Sequence, residues 1–367
     1  MKSGKQHSIH YQSGLSLVEI LVGLLIGLLA TLVIMQVFAV FEGQKRTTSG
    51  SAEAQTNGSI ALYTIANELK MAGFGLPPTD NPPLKCTTAN PWTTTDISPV
   101  TITDGGTGPG ASDTITIRYA TSATGGIPSP ITAAPAGNVV QVDDNQACKP
   151  GDVAMIVNGT TCNFTQVDPA VVPADTKKIT LLDASSAING SNLSCLGSWV
   201  TSVFRVNPSY DPTVATNSRA YLERSSAPSV ADIVNVQAQY GISNSATSNQ
   251  IAQWVDATAG TIWAATATTP TVADRNRIKA IRIAVVARSG LLEKQAVTFK
   301  CSSLTASSPN GLCAWEGTLA SPAPKIDLSN DKLSSDPTND QHWQHYRYRV
   351  FETIIPLRNM IWAKDTL

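Results

Sequence analysis

Hydrophobic and polar positions divide the chain into an apolar run near the N-terminus, a helical stripe and a long series of short alternating segments. Residues 1–14 are polar, the apolar run extends over residues 15–41, and 22 uncharged residues separate Glu19 from Glu42. As a helix these residues span about 33 Å, which is close to the thickness of a bilayer core. The pattern predicts a membrane-spanning helix over residues 15–41.

The same helix is predicted to continue beyond the membrane. Ala61, Ile65, Leu69 and Ala72 recur at helical spacing, and Pro77 is the first proline of the chain. Glycines and then prolines close the pattern after residue 72, as they commonly do at the end of a helix. We therefore expect one helix over residues 15–73, whose second half packs on the rest of the protein.

From residue 74 onward the helical spacing gives way to short alternating runs separated by Gly, Pro, Asn and Asp. The two longest runs, residues 278–288 and 346–355, place arginines on one face and apolar residues on the other, so both are expected near the centre of a one-sided antiparallel sheet packed on the helix. Further strands are predicted at residues 114–119, 139–142, 152–157, 178–182 and 202–206. The predicted fold class is α+β: a long N-terminal helix on an antiparallel β-sheet head, residues 74–367, with long surface loops.

The composition favours an exported β protein over a cytosolic enzyme. Charged residues make up 14% of the chain, against roughly 25% in an ordinary soluble domain. Lys and Arg total 26 against 27 Asp and Glu, so nothing in the charge balance favours nucleic acid as a partner.

The six cysteines are an even number, and none forms a C-x-x-C pair. Zinc sites usually need such close spacing, so disulfides in an oxidising compartment are the better interpretation. Short-loop reasoning favours Cys301–Cys313 and Cys148–Cys162, which leaves Cys86–Cys195.

Motifs for catalysis or cofactor binding are missing from the sequence. There is no G-x-S-x-G motif, and the glycine-rich residues 105–110 lack the Lys-Ser/Thr of a phosphate loop. His342 and His345 are the only histidines outside residues 1–14, and we expect them to be surface residues flanking a strand. We predict no catalytic site, no cofactor and no bound metal. A membrane-anchored periplasmic enzyme is the alternative, and it would need a catalytic constellation.

Two residues at the start of the apolar run distinguish it from a plain signal anchor. Gly14 lies at the border between polar and apolar residues, where a protease at the membrane surface can cut, and Glu19 lies inside the apolar run. A carboxylate at the centre of a membrane helix raises the free energy of insertion by ~2.5–3.5 kcal/mol. A carboxylate that is nevertheless present in such a helix is therefore expected to have a function. After cleavage between Gly14 and Leu15, its natural partner is the free amine of its own or a neighbouring Leu15.

The segment Gly14-Leu15-Ser16-Leu17-Val18-Glu19 resembles the prepilin leader junction, usually written G-F-T-L-I-E, with Leu for Phe, Ser for Thr and Val for Ile. This resemblance implies a leader over residues 1–14 and a prepilin peptidase that cuts after Gly14 and methylates the Leu15 amine. It also implies a pilin-like fold in which Glu19 pairs with a neighbouring N-terminus during filament assembly.

Later segments resemble the PilW-like minor pilins, namely residues 67–74, 236–241, 281–289 and 357–359. The resemblance implies a minor pilin that helps to start type IV pilus assembly and remains near the tip, where the large head suits it. It implies a single pass through the bacterial inner membrane with a periplasmic head before assembly. The implied partners are other minor pilins, the major pilin, the prepilin peptidase, the inner-membrane assembly platform and a tip adhesin. A pseudopilin of type II secretion and a pilus-tip adhesin are the alternatives.

Overall fold

In the computed structural model the chain divides into two compact units, residues 1–50 and residues 51–367. The described residues are 14, 16–77, 86–88, 96–159, 161–173, 175–208, 220–266, 269–330 and 341–362.

Helix α1 extends over Leu17–Met71 and is long and apolar enough to cross a membrane, judged by length and composition. In the first unit its large apolar side chains between Leu17 and Phe41 are exposed. An apolar surface of this length is covered by lipid or by other apolar chains in a native setting. The predicted long apolar N-terminal helix is therefore confirmed.

Sixteen strands and three short helices follow in the described part of the chain. The strands are β1 (Thr87–Thr88), β2 (Val100–Thr103), β3 (Thr114–Ala120), β4 (Pro128–Pro130), β5 (Val139–Gln141), β6 (Val153–Asn158), β7 (Thr161–Gln166), β8 (Lys178–Thr180), β9 (Asn192–Gly197), β10 (Trp199–Asn207), β11 (Tyr221–Arg224), β12 (Ala227–Ala231), β13 (Ile233–Ile242), β14 (Gln253–Val255), β15 (Ile278–Arg288) and β16 (Tyr348–Pro356). The helices are α2 (Val272–Arg275), a 3-10 helix (His342–His345) and α3 (Arg358–Trp362). Every predicted strand overlaps one of these.

The described strands form two five-stranded sheets, one four-stranded sheet and one two-stranded ribbon. Their orders are β12-β11-β10-β3-β2, β1-β7-β6-β9-β4, β14-β13-β15-β16 and β5-β8. The pairings are antiparallel except for β1 with β7, which are parallel. The predicted helix with an antiparallel β-sheet head is thus confirmed.

The main core lies where the second half of α1 meets two of these sheets. Ala61, Ile65 and Leu69 are fully buried, as the helical stripe predicts. They belong to one cluster with Ile117 of β3, Ile283 of β15 and their neighbours. Burying a Leu or Ile side chain contributes about 1.5–3 kcal/mol, so this stripe fixes residues 51–71 firmly on the head.

The structure corrects the predicted sheet in two respects. β15 is central, but β16 lies at the edge of the described sheet, because β13 takes the other side of β15. The arginine face of β15 is also covered, with Arg282 and Arg288 each only 8% exposed. A second apolar cluster, which includes Trp315 and Trp343, packs over that face, so the sheet is not one-sided.

Candidate assembly and processing site

The junction that resembles a prepilin leader begins with an unhindered glycine. Gly14 is exposed, and a side chain built on it would have no heavy atom within 4 Å. Leu15, the residue after the predicted cut, lies outside the described residues. Nothing in the described part of the chain crowds the residue before the predicted cut. Cleavage and methylation remain predictions.

Glu19 and Ser16 together cap the start of α1. The Glu19 Oε2 atom accepts from the Ser16 backbone N–H at 3.4 Å, and the Ser16 Oγ atom accepts from the Val18 N–H at 3.3 Å. The S-x-x-E spacing is that of a capping box, and the helix dipole favours a carboxylate in this first turn. Glu19 is also exposed. It therefore caps its own helix while its side chain stays exposed. The sequence analysis missed this cap, although the spacing signals it.

Farther along α1, a glycine lets a strand approach the helix closely. The aromatic ring of Phe351 on β16 lies where a side chain at Gly58 would be, 2.9 Å from the Cζ atom and closer to two other ring carbons. On the same strand, Arg349 Nη2 donates to Ser51 Oγ at 3.0 Å. β16 therefore holds the helix through shape at one point and a hydrogen bond at another.

The end of the same helix is fixed by three further contacts. Glu68 forms an ion pair with Arg224 of β11. The Asn359 side-chain amide donates to the backbone oxygens of Lys70 and Ala72 at 3.3 and 3.2 Å, which satisfies carbonyls that a helix end leaves open. Gly73 has φ +76°, the left-handed conformation that commonly ends a helix, so the predicted glycine stop is present.

On the face of the four-stranded sheet that points away from α1, a stacked arginine joins the sheet to the segment that covers it. The Arg282 guanidinium lies between the rings of Trp254 and Trp315, 4.8 and 4.2 Å from their centroids, and it also donates to Gln239. Burial lowers the pKa of Arg282 to about 10. The guanidinium remains charged at neutral pH, so it binds the segment around Trp315 to the sheet through cation–π contacts.

His342 is buried, so the prediction of a surface residue is wrong for it. It is 4% exposed, and its ring meets that of Tyr346 edge-on at 5.3 Å. Within the described residues no group of three or more His, Cys, Asp or Glu side chains is placed to hold a metal ion.

Three disulfides join the six cysteines, as Cys301–Cys313, Cys86–Cys162 and Cys148–Cys195. The first is the pairing that short-loop reasoning favours. The predicted Cys148–Cys162 and Cys86–Cys195 pairings are wrong, because strand pairing decides the neighbours. β1 runs beside β7 and brings Cys86 to Cys162, whereas β9 pairs on the other side of β6 and carries Cys195 away from Cys162.

A buried carboxyl group was also missed by the sequence analysis. Asp113 is 5% exposed and accepts from the backbone N–H groups of Gly105 at 3.0 Å and Ala238 at 2.8 Å. It thus ties the loop before β3 to β13. Burial raises the pKa of Asp113 to about 7, despite these two donors.

Comparison with known proteins finds a family model that matches the C-terminal part of the chain. Residues 212–359 match the family model of type IV pilus-assembly protein W. No curated protein and no solved structure matches the chain. The matched range includes β11–β16 and three of the four segments whose resemblance the sequence showed, and it contains Arg224, Arg349, Phe351 and Asn359, which hold α1. The match confirms that resemblance for residues 212–359, and this part of the chain is similar to the PilW-like type IV pilus proteins.

Proposed function

We propose that the protein is a minor pilin that helps to start type IV pilus assembly and stays near the pilus tip. The family match supports a role in pilus assembly. The observation that carries the finer proposal is α1 itself. Its first part exposes apolar side chains from Leu17 to Phe41, shortly after Gly14 and around Glu19, and one face of its second part is buried in the head.

The exposed part of α1 needs a cover in each state of the protein. Lipid covers it in the inner membrane before assembly, and the helices of neighbouring subunits cover it in a filament. Moving from one cover to the other leaves the apolar surface buried throughout, so hydrophobic burial by itself does not select a position along the filament.

Glu19 supplies that selection. Where helices exclude water, an unpaired carboxylate costs several kcal/mol, about 3–5 when a buried pair is broken, whereas a paired one costs much less. The neighbouring Leu15 amine is the available partner after cleavage by a prepilin peptidase. Subunits out of axial register leave both groups unpaired, so the pair acts as a register check against other minor pilins and the major pilin.

The compartment follows from the same proposal. The head faces the periplasm, where three disulfides are stable, and α1 crosses the inner membrane once, beside the assembly platform. The protein works as a structural subunit without a cofactor, and a tip adhesin is a further partner.

Deletion of the protein tests the proposal. Surface pili are counted in the deletion strain with retraction active and with retraction blocked. Loss of pili that is restored when retraction is blocked indicates a role in starting assembly. Normal pilus numbers in the deletion strain with retraction active would contradict the proposal.

Processing gives a direct prediction. The membrane-extracted protein should begin at Leu15 with an N-methylated amine, as read by N-terminal sequencing and intact mass. Gly14→Ala should leave most of the protein unprocessed, because Gly14 is the residue before the cut. A chain that still begins at Met1 in cells that make pili would refute the cleavage.

Glu19→Gln isolates the charge of this residue. Glutamine also fits the third position of a capping box, so the helix start is preserved while the negative charge is lost. We expect normal membrane insertion and cleavage but poor recovery in sheared pili, and Glu19→Ala should be at least as poor. Glu42→Gln is the matched control, because it removes the charge at the other end of the apolar run. Wild-type amounts of Glu19→Ala protein in sheared pili would refute the pairing role.

A further inference from the structure

We infer that residues 121–198 are a separate module inserted between β3 and β10, and that the head builds and holds α1 without it. The part about filament assembly rests on the proposed function. The part about folding does not.

The insertion is visible in the strand register. Ala120, the last residue of β3, pairs with Trp199, the first residue of β10, and the two strands remain paired through Ile115 and Phe204. The chain therefore leaves one strand of a hairpin and returns at the directly opposite position. A two-residue turn is enough to join strands in that geometry.

The inserted module has a core of its own. One apolar cluster lies entirely within it: Ile131, Val140, Val142, Ala154, Ile156, Val167, Ile179, Leu181, Ala184, Ala187, Leu193 and Cys195, with Cys148 packed against them. Its strands β4 to β9 pair with one another, and the Cys148–Cys195 disulfide closes within it. These are the features of a unit that is stable by its own contacts.

The module is attached to the rest of the head through a shared apolar cluster and several further described contacts. Six of its residues, among them Met155 and Leu196, belong to one cluster with Cys86, Ile97, Ala120 and Trp199. Cys86 is bonded to Cys162, and β1 pairs with β7. Phe164 meets Trp199 edge-on at 5.3 Å. In addition, Gly126 lies directly against the Gly75 carbonyl group.

The contacts that hold α1 come from elsewhere. Arg224, Arg349, Phe351 and Asn359 all follow the module in the chain and lie within the residues that match the pilus-assembly family, whereas the module precedes that range. The matched part, together with β2 and β3, carries the helix, and the described contacts of the module lie elsewhere in the head.

Excision from the full chain tests the folding part of this inference. Residues 121–198 are replaced by Asn-Gly, and Cys86→Ser removes the thiol that would lose its partner. Hydrogen exchange of β13 and β15 amides and formation of Cys301–Cys313 are measured in detergent-solubilised protein. We expect both to match the intact chain. Loss of amide protection in β15 counts against the inference, and two control variants show whether the missing module is its cause.

Two further variants keep that result interpretable. The double variant Cys86→Ser, Cys162→Ser removes the disulfide between the module and the head but retains the module. Loss of amide protection that this variant shares with the excised chain is therefore caused by the missing disulfide. In the excised chain Trp199 has lost its contact with Phe164, so its exposed ring can cause aggregation. Trp199→Thr removes this ring and therefore any aggregation that depends on it. Lost protection that persists with Trp199→Thr and is absent from the double cysteine variant overturns the inference.

Recovery of the excised chain in sheared pili tests the assembly part. Amounts equal to those of the intact chain are expected. A folded excised chain that is missing from pili, beside an intact chain that is present, would overturn this part. If the intact chain is itself missing from pili, the proposed function fails, and hydrogen exchange still decides whether the module is separate.

Discussion

Gly58→Ala sets two opposing effects of known size against each other at the contact between α1 and β16. Alanine is about 1 kcal/mol more favourable than glycine inside a helix, so propensity alone predicts stabilisation. The added Cβ, however, would lie 2.9 Å from Phe351 Cζ and closer to two other ring carbons. Phe351 is held in β16 by its pairing with Val285, so the ring has to turn or the strand has to move.

The clash should win. Overpacking a buried contact costs about 1–3 kcal/mol, and subtracting the gain in propensity leaves a net destabilisation of roughly 0–2 kcal/mol, centred near 1. Denaturant unfolding of the full chain in detergent micelles measures this difference. The sign is the informative result, because the two effects oppose each other.

A double-mutant cycle with Phe351→Ala separates the two effects. Without the ring, only helix propensity remains, so Gly58→Ala should then stabilise the head by about 1 kcal/mol. The coupling between the two positions should equal the clash. If Gly58→Ala stabilises the head equally in both backgrounds, the ring moves freely and the close-approach argument is refuted.

Two further predictions concern the head. The pKa of Asp113 is raised to about 7 from 3.8, so the folded state binds its proton more tightly, and stability should fall as pH rises from about 4 to about 7. The free energy of unfolding should fall by an amount on the order of 4 kcal/mol across this pH range. Asp113→Asn should flatten this part of the stability–pH profile. An unchanged slope in that variant would contradict the prediction. The denatured, unreduced protein should take up no thiol reagent, and peptide mapping should recover Cys86 linked to Cys162 and Cys148 linked to Cys195. Recovery of Cys148 linked to Cys162 would refute the pairing.

The elements with a strong local pattern were predictable from the sequence. The stripe of Ala61, Ile65 and Leu69 specifies the buried face of α1, because residues three and four apart share one side of a helix. The alternation over residues 278–288 likewise predicted β15. In both cases the information lies within one element, so a periodicity is enough to read it.

What depends on contacts between distant segments was not predictable. Short spacing favoured Cys148–Cys162, but Cys148 packs in the same apolar cluster as Cys195, whereas Cys162 lies in another cluster with Cys86. The arginine of β15 that suggested a solvent-facing side, Arg282, is stacked between two tryptophans. Burial of a charged side chain needs partners from other segments, and the pattern of one strand does not show them.

The family match covers a part of the head that contacts α1, and it does not cover the start of the helix. The match does not include α1, Gly14 or Glu19, yet it contains the residues that grip residues 51–72 of the helix. The proposed function moves the subunit through its helix, and these contacts fix residues 51–72 of that helix to the head. The proposed function therefore predicts two separate requirements for assembly: pairing at Glu19, which Glu19→Gln tests, and attachment of residues 51–72 to the head, which Gly58→Ala and Phe351→Ala test. A variant that weakens the attachment should remain cleaved and membrane-inserted, because neither step uses the matched residues.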